Sequence, residues 1–100
     1  MFTHVVLFWL KKDSPADARR QLEDDCRSLL AKIPTIKFID AGRAAMTPRE
    51  VVDNSYDVGL VTVFADKDGH DTYQSHELHL QFIARNKPHF ERIQVYDFVA

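Results

Sequence analysis

The first ten residues constrain the fold most, because both sides of an extended chain would be apolar there. The segment Phe2–Leu10 reads FTHVVLFWL, which as a strand places His4 and Phe8 on one face and Leu7 on the other. A strand with two apolar faces must be covered on both sides. The run stops at Lys11, short of the ~20 apolar residues of a membrane span, and no basic segment typical of a signal peptide precedes it. We therefore expect a buried strand and no membrane partner.

The rest of the chain predicts an alternation of helices and strands. Ser14 and Pro15 are typical of an N-cap and a first helical position, and apolar residues then recur at steps of three and four as far as Ile33. The order β-α-β-β-α-β predicts an α+β, ferredoxin-like fold with a four-stranded antiparallel sheet and helices on one face. The later strands are expected at Ile36–Ala41, Tyr56–Ala65 and Phe90–Val99, and the later helices at Asp66–Gln74 and Glu77–Asn86.

Size and charge limit the possible partners. One hundred residues fit a single domain, 1–100, and so small a domain leaves much apolar surface that self-association can cover. With 13 Lys and Arg against 15 Asp and Glu, the chain lacks the basic surface that nucleic acids select, so no nucleic-acid partner is expected. The single cysteine, Cys26, excludes an intramolecular disulfide, which favours a cytoplasmic location. Cys26 lies on the apolar stripe of the first helix and is expected to be inert.

Four motifs in order resemble the stress-responsive A/B barrel (Dabb) family over essentially the whole chain. They are His4-Val5-Val6-Leu7-Phe8, Phe64-Ala65-Asp66, Tyr73-x-x-His76-x-x-His79 with Phe82, and Val95-Tyr96-Asp97-Phe98. The chain departs from the family at Glu77, where a proline is common. The resemblance implies a homodimer, a dimeric α+β barrel in which two sheets close with the helices outside. Val5, Leu7, Trp9, Val61 and Val63 are candidates for one face of the sheet, and the sequence leaves open whether that face meets the partner or the helices.

The same resemblance implies a candidate site made of His4, Tyr73 and His79. In the family's plant polyketide cyclase, which needs no cofactor, the residues matching His79 and Tyr73 act as general base and hydroxyl donor, and the residue matching His4 supports the pocket. A neutral imidazole can remove a proton from carbon flanked by carbonyls, and a phenol can stabilise the resulting oxyanion. The expected pocket binds a small hydrophobic or poly-carbonyl ligand through Val6, Phe8, Leu22, His76 and Phe82.

Several alternatives remain open at this point. His76 and His79 do not form a recognised zinc motif, so no metal is expected. Asp97 can orient a histidine or form a surface ion pair with Arg92 or Lys37. His70 and His89 are expected to be solvated. The first reading is an uncharacterised ligand-binding dimer, followed by a cyclase-like lyase performing intramolecular aldol condensation. A third hypothesis is a purely structural dimeric module, in which His4 is a core hydrogen-bonding group. A fourth, which rests on superfamily analogy alone, is a monooxygenase or a haem-degrading relative.

Overall fold

The computed structural model describes residues 1–100 and contains one sheet with three helices. The four strands are antiparallel neighbours in the order β2-β3-β1-β4, which confirms the predicted ferredoxin-like arrangement. None of the helices has the length and apolar character needed to cross a membrane. The elements are β1 (Phe2–Leu10), α1 (Ala18–Ser28), β2 (Ile36–Gly42), β3 (Val58–Phe64), α2 (Lys67–Ser75), α3 (Glu77–Asn86) and β4 (Phe90–Val99), with short 3-10 turns at Leu30–Lys32 and Lys87–His89.

The hydrophobic core lies between the helices and one face of the sheet. Even-numbered residues of β1 and β3 are buried there, because side chains alternate between the two faces of a strand. Cys26 is fully buried on α1, and burial raises the pKa of its thiol to about 12, so the thiol is unreactive at neutral pH as expected. The largest fully buried side chains of this core include Tyr73, Phe64, Phe82, Leu22, Leu30 and Ile33.

The opposite face of the sheet, called the open face here, carries no helix. Val5 lies directly opposite Val61 on β3 and Tyr96 on β4, so the odd-numbered positions of β1 share this face. Tyr96 and Phe98 are 58% and 56% exposed. Trp9 is partly covered by its own chain, since its indole donates a hydrogen bond to Ser55. The five residues predicted to share one face, Val5, Leu7, Trp9, Val61 and Val63, all lie on the open face.

The first helix differs from its predicted bounds at both ends. It begins at Ala18 rather than Pro15, because the Ser14 hydroxyl donates to the backbone oxygen of Lys11, 2.6 Å away, and closes a turn instead of capping a helix. It ends at Ser28, after which a 3-10 turn continues the apolar stripe to Ile33. The stripe was therefore predicted correctly, but the regular helix is shorter than its periodicity suggested.

The turn between α2 and α3 forms with Glu77 at the position where the family resemblance suggested a proline. Asp66 caps α2, accepting a hydrogen bond from the amide of Gly69 at 2.9 Å. His76 is extended and is the N-cap of α3, where its Nδ1 accepts from the amide of Leu78 at 3.0 Å. A histidine cap thus satisfies a helix-terminal amide, and Glu77 supplies an acidic side chain in the first turn.

Candidate functional site

A pocket of about 200 Å³ lies between the helix side of the sheet and helices α2 and α3. Its polar lining consists of His4, Tyr73, Gln74 and His79, and no Lys, Arg, Asp or Glu side chain belongs to it. Pockets of this type bind small, uncharged, largely apolar compounds and orient them through a few polar groups. The remaining lining residues are Val6, Phe8, Leu60, Phe82, Ile83, Ile93 and Val95.

His4 lies on β1 and is held by a carboxylate on the neighbouring strand. The register places His4 opposite Asp97 of β4, and His4 Nδ1 lies 2.5 Å from Asp97 Oδ1. Burial lowers the pKa of His4, with the nearby His70 acting in the same direction, although Asp97 acts in the opposite one. A neutral His4 donates its Nδ1–H to Asp97, which leaves Nε2 as a hydrogen-bond acceptor.

Tyr73 lies on α2 and is 1% exposed. Its ring centre is 6.1 Å from that of His4 and 4.7 Å from that of His79, so Tyr73 lies between the two imidazoles. Burial raises the pKa of its phenol, with a smaller contribution from Cys26, and no hydrogen bond contributes to the shift. The hydroxyl is therefore protonated at neutral pH and available to donate to a ligand oxygen.

His79 lies on α3 and has a buried nitrogen that no protein group satisfies. Its Nδ1 is buried and makes no hydrogen bond of regular geometry, although the Gln74 backbone lies close enough to act on the imidazole; such buried polar atoms are rare. Burial lowers the pKa of His79, and the imidazoles of His4 and His70 add to this effect, while the backbone of Gln74 opposes it. His79 is accordingly neutral at pH 7 and can accept a proton.

Two residues predicted for the pocket lie elsewhere. Leu22 is fully buried in the core and is not part of the pocket lining, and His76 caps α3. The pocket does include Val6, Phe8 and Phe82 as expected. The lining residues that the sequence did not predict are Leu60, Gln74, Ile83, Ile93 and Val95.

His70 is not solvated, contrary to the prediction. Its side chain is 13% exposed, and its ring stacks on Phe2 with centres 4.5 Å apart. The ring of His4 lies 4.9 Å away. Possible ligand atoms of His4, His70 and Asp97 all lie within 4.8 Å of one another, which makes this the group of side chains best placed to hold a metal ion.

Comparisons with known proteins agree on one family and one fold. The model of the Stress responsive A/B Barrel Domain family (Dabb) matches residues 2–100. No curated protein matches the chain in sequence. A Dabb family protein with a ferredoxin-like fold from Mesorhizobium loti is 25% identical, with a TM-score of 0.79, and the match covers 99% of this chain and 95% of that one.

Two further solved structures share the fold at lower identity. A dimeric ferredoxin-like protein of unknown function from Thermobifida fusca has a TM-score of 0.83 at 23% identity, with 99% of this chain and 90% of that chain covered. The hydroxynitrile lyase from Passiflora edulis has a TM-score of 0.81 at 17% identity, with 99% and 92% covered. At these identities the likeness concerns the fold alone.

Proposed function

The chain belongs to the stress-responsive A/B barrel (Dabb) family, and from this premise we propose that it is a homodimer whose protomers each bind a small, uncharged, largely apolar carbonyl compound. The observation that carries the proposal is the convergence of His79, Tyr73 and His4 on one pocket with no charged residue in its lining. The ligand class follows from the hydrogen-bonding roles of these three side chains.

The open face supports the homodimer. Val5 and Leu7 lie beside the exposed aromatic rings of Tyr96 and Phe98 on a face that no helix covers. A contiguous apolar surface of this kind on a small domain is typical of a subunit interface. Solved structures of the same fold are described as dimeric, and a second copy of this chain is the occupant with matching chemistry.

The polar inventory of the pocket supports an uncharged carbonyl ligand. Tyr73 supplies a hydroxyl donor for a carbonyl oxygen, while neutral His4 and His79 supply acceptors. No cation is present in the lining to neutralise a carboxylate or phosphate. Anionic ligands would therefore lose hydration without gaining a partner, which costs several kcal/mol in an apolar site.

The same groups support a second candidate function, a lyase that moves a proton on such a ligand. His79 would accept a proton from a carbon between two carbonyl groups, and the Tyr73 hydroxyl would donate a hydrogen bond to the enolate oxygen that forms. The enolate carbon would then attack another carbonyl of the same molecule, and the new alkoxide would take up the proton from His79. This is the addition step of an intramolecular aldol condensation, which is completed by loss of the new hydroxyl group as water. The lowered pKa of His79 favours this role, because the imidazole is in its basic form at neutral pH.

Cleavage of a cyanohydrin needs similar catalytic groups. A base takes the hydroxyl proton, the carbon–cyanide bond breaks as the carbonyl forms, and the proton leaves with cyanide. The fold is shared with a hydroxynitrile lyase, so mandelonitrile is a reasonable compound for the same assays.

Benzoylacetone, an uncharged aromatic 1,3-diketone, is a direct probe of both functions. We expect calorimetric titration to detect one site per protomer and ultraviolet difference spectra to show more enolate in the bound state. Benzoylacetate is the matched control, because it carries a carboxylate in place of the terminal methyl ketone and should bind at least about 10-fold more weakly. The variants His79→Phe and Tyr73→Phe should lose the enolate signal.

The two functions separate in these data. Binding of benzoylacetone without an enolate signal supports a ligand-binding protein and argues against the lyase. If neither benzoylacetone nor mandelonitrile binds, or if both substitutions leave binding unchanged, the pocket is not the functional site. Sedimentation equilibrium tests the homodimer independently, since a monomer of 11.6 kDa at micromolar concentration would contradict it.

A further inference from the structure

The side chains of His4, His70 and Asp97 form a cluster that the proposed function does not use as a unit. They come from three different elements, β1, α2 and β4, and each offers a ligand atom within 4.8 Å of the other two. From this geometry we propose that each protomer binds one zinc-type divalent transition-metal ion through these three residues. The proposal goes beyond carbonyl binding and does not depend on it.

The chemistry of the cluster selects the class of metal. Two imidazoles and one carboxylate suit Zn²⁺ and its neighbours in the first transition series, whereas Mg²⁺ and Ca²⁺ prefer oxygen ligands throughout. Three protein ligands leave room for water or another small ligand as the fourth. Asp97 is 38% exposed on its side chain, compared with 6% for His4, so an ion would enter from the Asp97 side.

The hydrogen bonds of His70 orient its imidazole in the way that is typical of a metal-coordinating histidine. The Gln74 amide nitrogen lies 3.2 Å from His70 Nε2 and can only donate, so Nε2 carries a lone pair. The ring proton is then on Nδ1, which lies 3.2 Å from a carboxylate oxygen of Asp71. A histidine that donates its second nitrogen to a carboxylate is typical of metal ligands, because the carboxylate fixes the tautomer and strengthens the lone pair. The stacked ring of Phe2 holds the plane of the imidazole.

Small movements bring the ligand atoms to coordination distances. Zinc ligands at about 2.0 to 2.1 Å from the ion lie roughly 3.3 Å from one another in a tetrahedral site. His4 Nδ1 and Asp97 Oδ1 are 2.5 Å apart and would separate slightly as the ion replaces the shared proton. His70 would approach, and the Gln74 amide would rotate away from Nε2.

The sequence did not predict this site because it placed His70 in solvent. The only metal candidates in the sequence were His76 and His79, which share the last helical region. The pairing of β1 with β4 brings Asp97 beside His4, and the packing of α2 on Phe2 brings His70 to both.

A Zn²⁺ competition titration of the untagged, metal-free chain at pH 7.5 tests the proposal, with Co²⁺ visible absorption as a second readout. We expect one ion per protomer and tetrahedral or five-coordinate Co²⁺ bands. His70→Phe, which keeps the stacking on Phe2, and Asp97→Asn should each weaken Zn²⁺ at least about 100-fold. Asp71→Asn, which removes the carboxylate behind His70 together with the surface ion pair of Asp71 and Lys67, should weaken it about 10- to 100-fold. The control His89→Gln should change nothing.

Full Zn²⁺ affinity in either His70→Phe or Asp97→Asn overturns the proposal, and so does the absence of one-to-one binding in the wild type at about 1 mM Zn²⁺. If one of these variants fails to fold, the Zn²⁺ affinities of the other variant and of Asp71→Asn still test the proposal. His70 does not belong to the pocket lining, so His70→Phe should retain benzoylacetone binding. Loss of metal with retained ligand binding therefore separates this site from the carbonyl pocket.

Discussion

Replacing His79 by phenylalanine should stabilise the protein while removing its ligand-dependent chemistry. An unsatisfied buried polar group costs about 1 to 3 kcal/mol, and Nδ1 of His79 is such a group. A phenyl ring keeps the edge contact with Tyr73, whose ring centre is 4.7 Å away, a type of contact worth about 0.5 to 1.5 kcal/mol. We therefore expect a net gain of about 1 kcal/mol, or roughly 4 to 8 °C in Tm for a domain of this size.

The measurement is urea and thermal unfolding of the wild type and variants at one protein concentration, since the stability of a dimer depends on concentration. His79→Gln is the matched control, because it keeps polar atoms in the same buried position and should not show the gain. His79→Ala also removes the nitrogen but loses the ring contacts, so its Tm should lie below that of His79→Phe. All three variants should lose the benzoylacetone enolate signal.

A fall of several degrees in the Tm of His79→Phe would refute this reasoning. It would mean that the imidazole has a structural partner whose loss outweighs the relief of desolvation. If benzoylacetone bound with an unchanged enolate signal in the same variant, His79 would have no part in the chemistry. Both results together would favour the purely structural dimeric module.

Four further predictions follow, two from the pKa shifts of the histidines, one from the unbonded hydroxyl of Tyr73 and one from the open face. Burial lowers the pKa of His79 and His4 below 6.5, so the native state binds fewer protons than the unfolded state. The free energy of unfolding should therefore fall as the pH drops from 7 to 5, and it should fall less in His79→Phe. The enolate signal should persist at pH 6.5 and be lost only at a lower pH; loss already at pH 7 would contradict a lowered pKa. Tyr73→Phe should change the unfolding free energy by less than about 0.5 kcal/mol yet abolish the enolate signal. Leu7→Glu or Val63→Glu should give monomers or unfolded chains by sedimentation, and two stable dimers would show that the open face is not the interface.

The fold was predictable because its strongest signals are independent of tertiary contacts. The doubly apolar pattern of Phe2–Leu10 survives in β1 without change of bounds, and β4 likewise matches Phe90–Val99. The predicted start of α1 was wrong because capping preference is a weak local effect. Instead of accepting from a helix amide, the Ser14 hydroxyl donates to the carbonyl of Lys11 in the folded chain. Local signals thus identify elements more reliably than their ends.

The site was predictable only where the family motif names its residues. His4, Tyr73 and His79 carry the motif, and the structure brings them to one pocket. Ile93 and Val95 belong to the pocket lining because β4 pairs with β1 in a register that places Ile93 opposite Phe8 and Val95 opposite Val6. Strand register is a tertiary property, so no periodicity within β4 alone could have identified them.

The edge strand β4 connects the two surfaces on which the proposed function rests. Its Ile93 and Val95 form part of the pocket wall and are 44% and 42% exposed, whereas Tyr96 and Phe98 project from the open face. A second copy packed on the open face would hold β4 in place from one side, while a ligand would cover Ile93 and Val95 from the other. Because both events restrain the same strand, dimerisation should lower the entropic cost of ligand binding although the partner covers a different face of the sheet.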